Sequence, residues 1–207
     1  MNLAPTFASQ PEPVLLALTG PFASGKTAIA DAFKERFGYV RPRTMTTRAP
    51  RADEIDGLHY HFRAVEEAKR MIERNELLEW VMTNGNIYGT PRSEVLAPLE
   101  QGLSIALCVD IKGVILLSDH ENELIRRSLV SVYLEAPFSQ AVARARKRPG
   151  GMVFEELRRR TATRWEEERL KHHARHRIAN PDGAFEETFS RVSSIAMRHR
   201  IECECAR

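Results

Sequence analysis

Apolar positions along this chain fall into two kinds of run. At 14–18, 104–109 and 129–134 they are nearly continuous, the pattern of short strands buried on both faces of a parallel sheet. Elsewhere they recur at helical spacing. Ala28, Ile29, Ala32, Phe33 and Phe37 follow the first run, and Gly38 stands where a helix end needs positive φ. Val65, Ala68, Met71 and Ile72 mark a short helix, and residues 77–82 followed by Asn84-Gly85 read as the start of a hairpin. Helical character over 93–101 contains Pro98, which predicts a kink or an early stop. Further helices are expected from about Lys112 and from Pro137 with Ser139, and a long charged helix over 154–177. Strands joined by helices make this an α/β chain with a parallel central sheet. Two segments break the pattern. Residues 41–57 are rich in arginine, threonine, proline and acid without a helical period, so they read as an ordered irregular stretch lining something. Arg144, Arg146, Lys147 and Arg148 lead into Pro149-Gly150-Gly151, a basic flap with a hinge.

Composition narrows the class. A chain of 207 residues, 43% of them hydrophobic, can bury one substantial core, so one domain with inserted subdomains is expected. With 31 basic against 28 acidic residues the formal charge is only +3, and no basic run is interleaved with aromatics, so nucleic acid is not an expected partner. Residues 1–13 carry Pro5, Pro11 and Pro13 and lack a basic segment followed by a long apolar one. They read as a flexible leader, neither a signal peptide nor a membrane span, and a cytoplasmic protein is expected. The odd set Cys108, Cys203 and Cys205 suits a reducing compartment. Cys203 and Cys205 offer two ligands where zinc wants four, so a frayed, redox-sensitive tail is the better reading. His172 and His176, four apart, have no third ligand at useful spacing and read as surface histidines, and Glu166-Glu167-Glu168 beside Arg164, Arg169 and Lys171 as a solvated face.

Candidate chemistry begins at Gly20-Pro21-Phe22-Ala23-Ser24-Gly25-Lys26-Thr27, between the first strand and the first helix. Glycines at this spacing let backbone N–H groups turn towards phosphate oxygens. Lys26 would reach the β- and γ-phosphates, and the Thr27 hydroxyl would take a place on Mg²⁺. Asp110 closes a buried strand, where ligands of open parallel sheets collect, and either orients the metal through water or caps the next helix.

Thr44-Met45-Thr46-Thr47-Arg48-Ala49-Pro50-Arg51, then Asp53 to Gly57 and Tyr60-His61-Phe62, resembles the guanylate kinases. The likeness continues in Leu78-Glu79-Trp80, in Gly85-Asn86-Ile87-Tyr88-Gly89-Thr90, in Val109-Asp110-Ile111-Lys112-Gly113, in Ala136-Pro137 and in Ile178-Ala179-Asn180. It implies a three-layer P-loop fold within 14–207: a core (14–43, 91–143 and 160–200), an inserted mixed α+β subdomain for a nucleoside monophosphate (44–90), and a helical lid (144–159). It implies small-molecule nucleotides as partners, with ATP as donor and Mg²⁺ as cofactor, and leaves room for a homodimer. By the same resemblance Gly20, Ala23, Ser24, Gly25, Lys26 and Thr27 hold ATP and Asn180 touches its adenine. Arg48, Arg51, Tyr60 and Tyr88 hold the acceptor phosphate, while Thr44 and Glu79 read the base, with Thr90 and Asp110 completing the acceptor site. Lys26, Arg48 and the lid arginines Arg144, Arg148 and Arg159 would be catalytic, and Thr27 and Asp110 would serve the metal.

The residue chemistry fits these roles. Guanidinium forks present paired donors to phosphate oxygens. A carboxylate accepts from the adjacent N1–H and N2–H₂ of guanine, whereas adenine presents an acceptor at N1. The expected reaction is phosphoryl transfer from ATP to GMP or dGMP. Cys108 stands where the family commonly has a second acid, Phe22 replaces a usual serine, Lys112 an often-found glutamine, and 149–154 departs from the usual acid-rich lid. Cys108 keeps one alternative, a kinase of another nucleoside monophosphate or a phosphorylated sugar; the second, from a different class, is a non-catalytic interaction module. The second commonly lacks the loop lysine, which this chain retains as Lys26.

Overall fold

The five consecutive buried residues of Leu15–Thr19 (β1) form the centre of the molecule because neither face of that strand meets solvent. A computed structural model describes residues 12–51, 53–147 and 154–205. In it β1 pairs in parallel with Ile105–Cys108 and with Leu129–Glu135, the other two continuous apolar runs. The helix after the phosphate loop spans Lys26–Phe37 (α1) and ends on Gly38 at φ 70°, whose N–H returns to Lys34 O.

Two short strands follow, Met45–Thr46 (β2) and His61–Phe62 (β3), then a helix at Val65–Glu73 (α2) and a hairpin of Leu77–Thr83 (β4) and Asn86–Pro91 (β5). The turn residues Asn84 and Gly85 both have positive φ, 50° and 74°, as a type I′ hairpin demands. These strands form their own mixed sheet in the order β3-β2-β5-β4, the inserted subdomain. The chain returns through a 3₁₀ turn at Arg92–Glu94 and the short helix Leu96–Glu100 (α3), which carries Pro98 near its start, where no intrahelical N–H is required of it.

Ile105–Cys108 is β6; it is followed by helices Ile111–Ser118 (α4) and Glu123–Ser128 (α5), the strand Leu129–Glu135 (β7) and the helix Phe138–Arg146 (α6). Phe154–Leu170 (α7) stops earlier than the charge pattern suggests. A 3₁₀ turn at Lys171–His173 intervenes, and His176–Ala179 is a strand (β8) pairing in parallel with β7. His172 and His176 therefore share no helix face. The core sheet is β6-β1-β7-β8, all parallel. A last helix, Phe185–Cys205 (α8), packs on it.

Alternate residues of β1 feed two separate cores. Leu16 and Leu18 face Ile29 and Phe33 of α1 and Val192 of α8, while Leu15 and Ala17 face Val114 and Leu117 of α4 and Ile125 of α5. Helices thus cover both faces of the sheet in three layers, each side chain burial adding about 1.5–3 kcal/mol.

Several expectations change. Glu12 and Pro13, assigned to a leader, are buried, and residues 1–11 lie outside the described residues. The lid boundary at 159/160 falls inside α7, which runs on without interruption. The tail carrying Cys205 is the end of α8, with Cys205 exposed. Arg148 and the Pro149-Gly150-Gly151 hinge lie outside the described residues. No helix among the described residues is long and apolar enough to cross a membrane.

Candidate active site

Where β1 ends and α1 begins, the loop wraps a cavity that opens onto the inserted subdomain. Gly20 has φ 130°, and a Cβ there would lie 2.4 Å from Leu134 O; at Gly25, φ 99°, a Cβ would lie 2.3 Å from Asn180 Nδ2. Both positions therefore need glycine for conformation and for space. Lys26 Nζ donates to Gly20 O at 2.6 Å and to Pro21 O at 2.9 Å, curling the loop over its own lysine.

The cleft, about 560 Å³, is lined on one side by this loop through Thr27 and on the other by Thr44, Arg48, Arg51, Tyr60, Glu79 and Tyr88. Cys108, Asp110 and Arg144 also line it. Residues from the core sheet and from the inserted sheet thus face one space. The register explains how. β2 and β5 are antiparallel with Thr46 opposite Tyr88, and Glu79 on β4 lies opposite Thr90.

Glu54 organises the two arginines, a role the sequence reading did not assign. Arg48 Nη2 donates to both Glu54 oxygens at 2.9 Å, Arg51 Nη1 to Oε1 at 3.3 Å, and the Arg51 backbone N–H to Oε2 at 2.8 Å. Burial works against the Arg48 charge, but the hydrogen bonds and charge of Glu54 outweigh it and hold its pKa above the usual value. Its guanidinium also lies 5.7 Å from the ring centres of Tyr60 and Phe62. Burial raises the Tyr60 phenol, helped by nearby Cys108 and Tyr88 and opposed by Arg48, so it remains a donor. Two guanidiniums, aligned by one carboxylate, thus stand with Tyr60 and Tyr88 on one wall of the cleft.

Glu79 is buried, and Thr90 Oγ1 donates to its Oε1 at 2.6 Å. Burial raises its pKa from 4.5 to about 7; Thr90 works the other way and the Asp110 charge adds to the rise. Thr90 itself is fully buried and does not line the cleft: it acts on Glu79. Asp110 lines the cleft and caps α4, its Oδ1 accepting from Lys112 N at 2.9 Å, as the capping reading of this residue has it.

Besides Thr90, two of the expected site residues, Arg159 and Asn180, stand off the cleft. Arg159 is exposed and off the cleft; its neighbour Arg160 lines it, 6.0 Å from the Phe22 ring centre. The helical phase of α7 puts Arg160, Thr163 and Glu167 on one face, at i, i+3 and i+7. In the sequence nothing distinguishes these three positions from the charged residues around them. Asn180 does not line the cleft: its Nδ2 donates to Ser24 O at 2.7 Å and its Oδ1 accepts from Thr188 Oγ1 at 3.1 Å. It braces the loop from beneath. Arg144 shares the bracing, reaching Ala23 O at 3.3 Å, Asn180 O at 2.9 Å and Asp182 at 2.7 Å.

On α7, Glu167 is pushed up to about 7 by burial, opposed by Lys26 and reinforced by Asp110. Two contacts hold α7: Thr163 Oγ1 donates to Asn84 Oδ1 at 3.0 Å across the cleft, and Lys112 Nζ of α4 meets Glu166 at 2.8 Å. Thr27, Asp110 and Glu167 present only oxygen, a donor set that suits a hard, hydrated cation such as Mg²⁺. Among the described residues no group of three or more His, Cys, Asp or Glu side chains could enclose a metal by itself.

Residues 12–198 match the family model described as guanylate kinase. The chain is 32% identical over 199 residues to guanylate kinase 2, chloroplastic/mitochondrial, of Oryza sativa subsp. japonica, covering 93% of this chain and 68% of that protein. It is 30% identical over 192 residues to a guanylate kinase of Wolbachia sp. subsp. Brugia malayi, covering 92% and 95%. The crystal structure of guanylate kinase from Anaplasma phagocytophilum superposes with a TM-score of 0.72 at 25% identity, covering 92% of this chain and 87% of that one.

Proposed function

The chain belongs to the guanylate kinase family, whose members are nucleoside monophosphate kinases, and from that premise we propose that it transfers the γ-phosphoryl of ATP to GMP or dGMP. The observation that carries the proposal is the shared cleft: the Lys26 loop and the Arg48–Arg51–Tyr60–Tyr88 grip line one space, with Glu79 beside them.

Phosphoryl transfer asks the protein for positioning and charge neutralisation more than for a covalent partner. Lys26 and the loop amides would hold the donor phosphates. Arg48 and Arg51, kept in place by Glu54, would hold the acceptor phosphate in line with them. The Glu79 carboxylate would accept from N1–H and N2–H₂ of guanine, with Thr44 supporting the base. Arg160 from α7 would meet the charge on the transferring group, and Arg144 would steady the loop on which the donor sits. Thr27 and, through water, Asp110 would hold Mg²⁺. When bound, the ion neutralises charge on the β- and γ-phosphate oxygens. The Thr163–Asn84 bond would hold α7 over the bound substrates.

Cys108 supports a second reading. It lines the acceptor side of the cleft, and Arg41 Nη1 lies 3.5 Å from its sulfur, so this wall presents a weak acceptor where the family commonly has an acid. An altered acceptor, another nucleoside monophosphate or a phosphorylated sugar, would use the same anion grip.

A steady-state panel of monophosphates with ATP and Mg²⁺ tests both. GMP or dGMP should exceed AMP by a factor of about 100 or more in kcat/KM. A different preferred acceptor would move the assignment to the second reading. Failure to turn over any acceptor would leave a non-catalytic module.

A further inference from the structure

The absence of a side chain at Gly113 sets where the Glu79 carboxylate stands. Gly113 is buried in the first turn of α4, the helix that packs on β4. A Cβ built there would lie 2.7 Å from Glu79 Oε2, 3.2 Å from its Cδ and 3.4 Å from Val109 Cβ. The first distance is one that real Cβ atoms essentially never show, so an added methyl would have to displace something. The helix backbone is held by the Asp110 cap and by its packing, with Ile111, Val114 and Leu117 all buried. The group able to move is the carboxylate, which the protein holds through Thr90 Oγ1 on the other oxygen. Gly113 has no positive φ to explain a need for glycine, unlike Gly20 or Gly25.

We propose that Gly113 is a positioning residue for acceptor recognition: its bare Cα gives Glu79 Oε2 the room to stand beside α4, with Thr90 fixing Oε1. The proposal rests on Glu79 reading the acceptor base. It also separates function from stability. Alanine favours a helix interior over glycine, so the substitution Gly113→Ala adds helix propensity while pushing the carboxylate out of register with the base.

The experiment compares Gly113→Ala, Glu79→Ala and the double variant by melting temperature and by KM for GMP and for ATP. Gly113→Ala should raise KM for GMP by about 10- to 100-fold, leave KM for ATP within about twofold, and retain a cooperative melt at or above the wild-type temperature. In the Glu79→Ala background the same change should add nothing, because no carboxylate remains to displace. An unchanged KM for GMP in Gly113→Ala, beside an impaired Glu79→Ala, overturns this proposal alone. So does an equal penalty in both backgrounds, or a Gly113→Ala protein without a cooperative melt. If Glu79→Ala itself leaves KM for GMP unchanged, the base-reading assignment fails and takes the proposal with it.

Discussion

A pH titration of acceptor binding tests the chemistry assigned to Glu79. Burial and the Asp110 charge hold this carboxyl at about 7. Only its ionised form accepts both donors of a guanine edge; a protonated carboxyl keeps one acceptor and turns a donor towards the base. With a pKa of about 7, roughly nine-tenths of the molecules are competent at pH 8 and roughly one-tenth at pH 6. The apparent Kd for GMP should therefore weaken about tenfold between these values from Glu79 alone. The acceptor phosphate titrates near pH 6 as well, as phosphate monoesters do, so the Glu79→Gln variant supplies the background to subtract. Calorimetry without ATP keeps the donor half of the cleft out of the signal. At pH 7, titrations in two buffers of different ionisation enthalpy should show wild type releasing about half a proton more than Glu79→Gln on binding GMP. Identical pH profiles and identical proton release in the two proteins would refute the argument, whatever the absolute affinities.

The same carboxyl affects folding with the opposite emphasis. Its folded pKa lies above the unfolded 4.5, so the native state binds the extra proton, and stability falls as pH rises from about 4.5 to about 7. That gap is worth at most about 3 kcal/mol, and Glu79→Gln should flatten that part of a chemical-denaturation profile measured from pH 4 to 8. Lys26→Ala should cut kcat/KM for ATP at least about a hundredfold, and retained turnover would remove the loop assignment. Arg160→Ala should lower kcat by about tenfold or more while Arg159→Ala leaves it within about twofold; the reverse order in single-turnover rates would return the role to Arg159. Glu54→Gln should raise KM for GMP about tenfold without changing KM for ATP, since the two guanidiniums lose the carboxylate that aligns them; equal rises in both constants would count against a local role.

What could be read from the chain depended on how many residues carried each signal. β1, β6 and β7 are buried on both faces over most of their length, so nearly every position before Glu135 is apolar or weakly polar and the runs stand out. β8 is the outer strand of the core sheet, and only Ile178 in it is buried; a lone apolar residue beside His176 and Arg177 looked like the end of a charged helix. The phosphate loop, Arg48, Arg51, Tyr60, Glu79 and Tyr88 were legible because their spacing forms motifs, and all of them line the cleft. Arg160 and Glu167 were not, since charged residues on a helix usually face water and only packing of α7 over the loop turns these two inward. Asn180 and Thr90 show a subtler limit. Both belong to the site's surroundings, but their hydrogen bonds to Ser24 and Glu79 place them behind the residues that meet the cavity.

The bracing of the phosphate loop by Asn180 has a consequence for how the protein is made. Ser24 leaves the ribosome 156 residues before the amide that holds its carbonyl, and Thr188, which orients that amide, comes later still. A nascent chain carrying the whole glycine loop therefore has no finished nucleotide cradle until β8 and the start of α8 have been synthesised and docked. Any ligand that favours the finished loop would stabilise only chains in which the segments around Ser24 and Asn180 have already met.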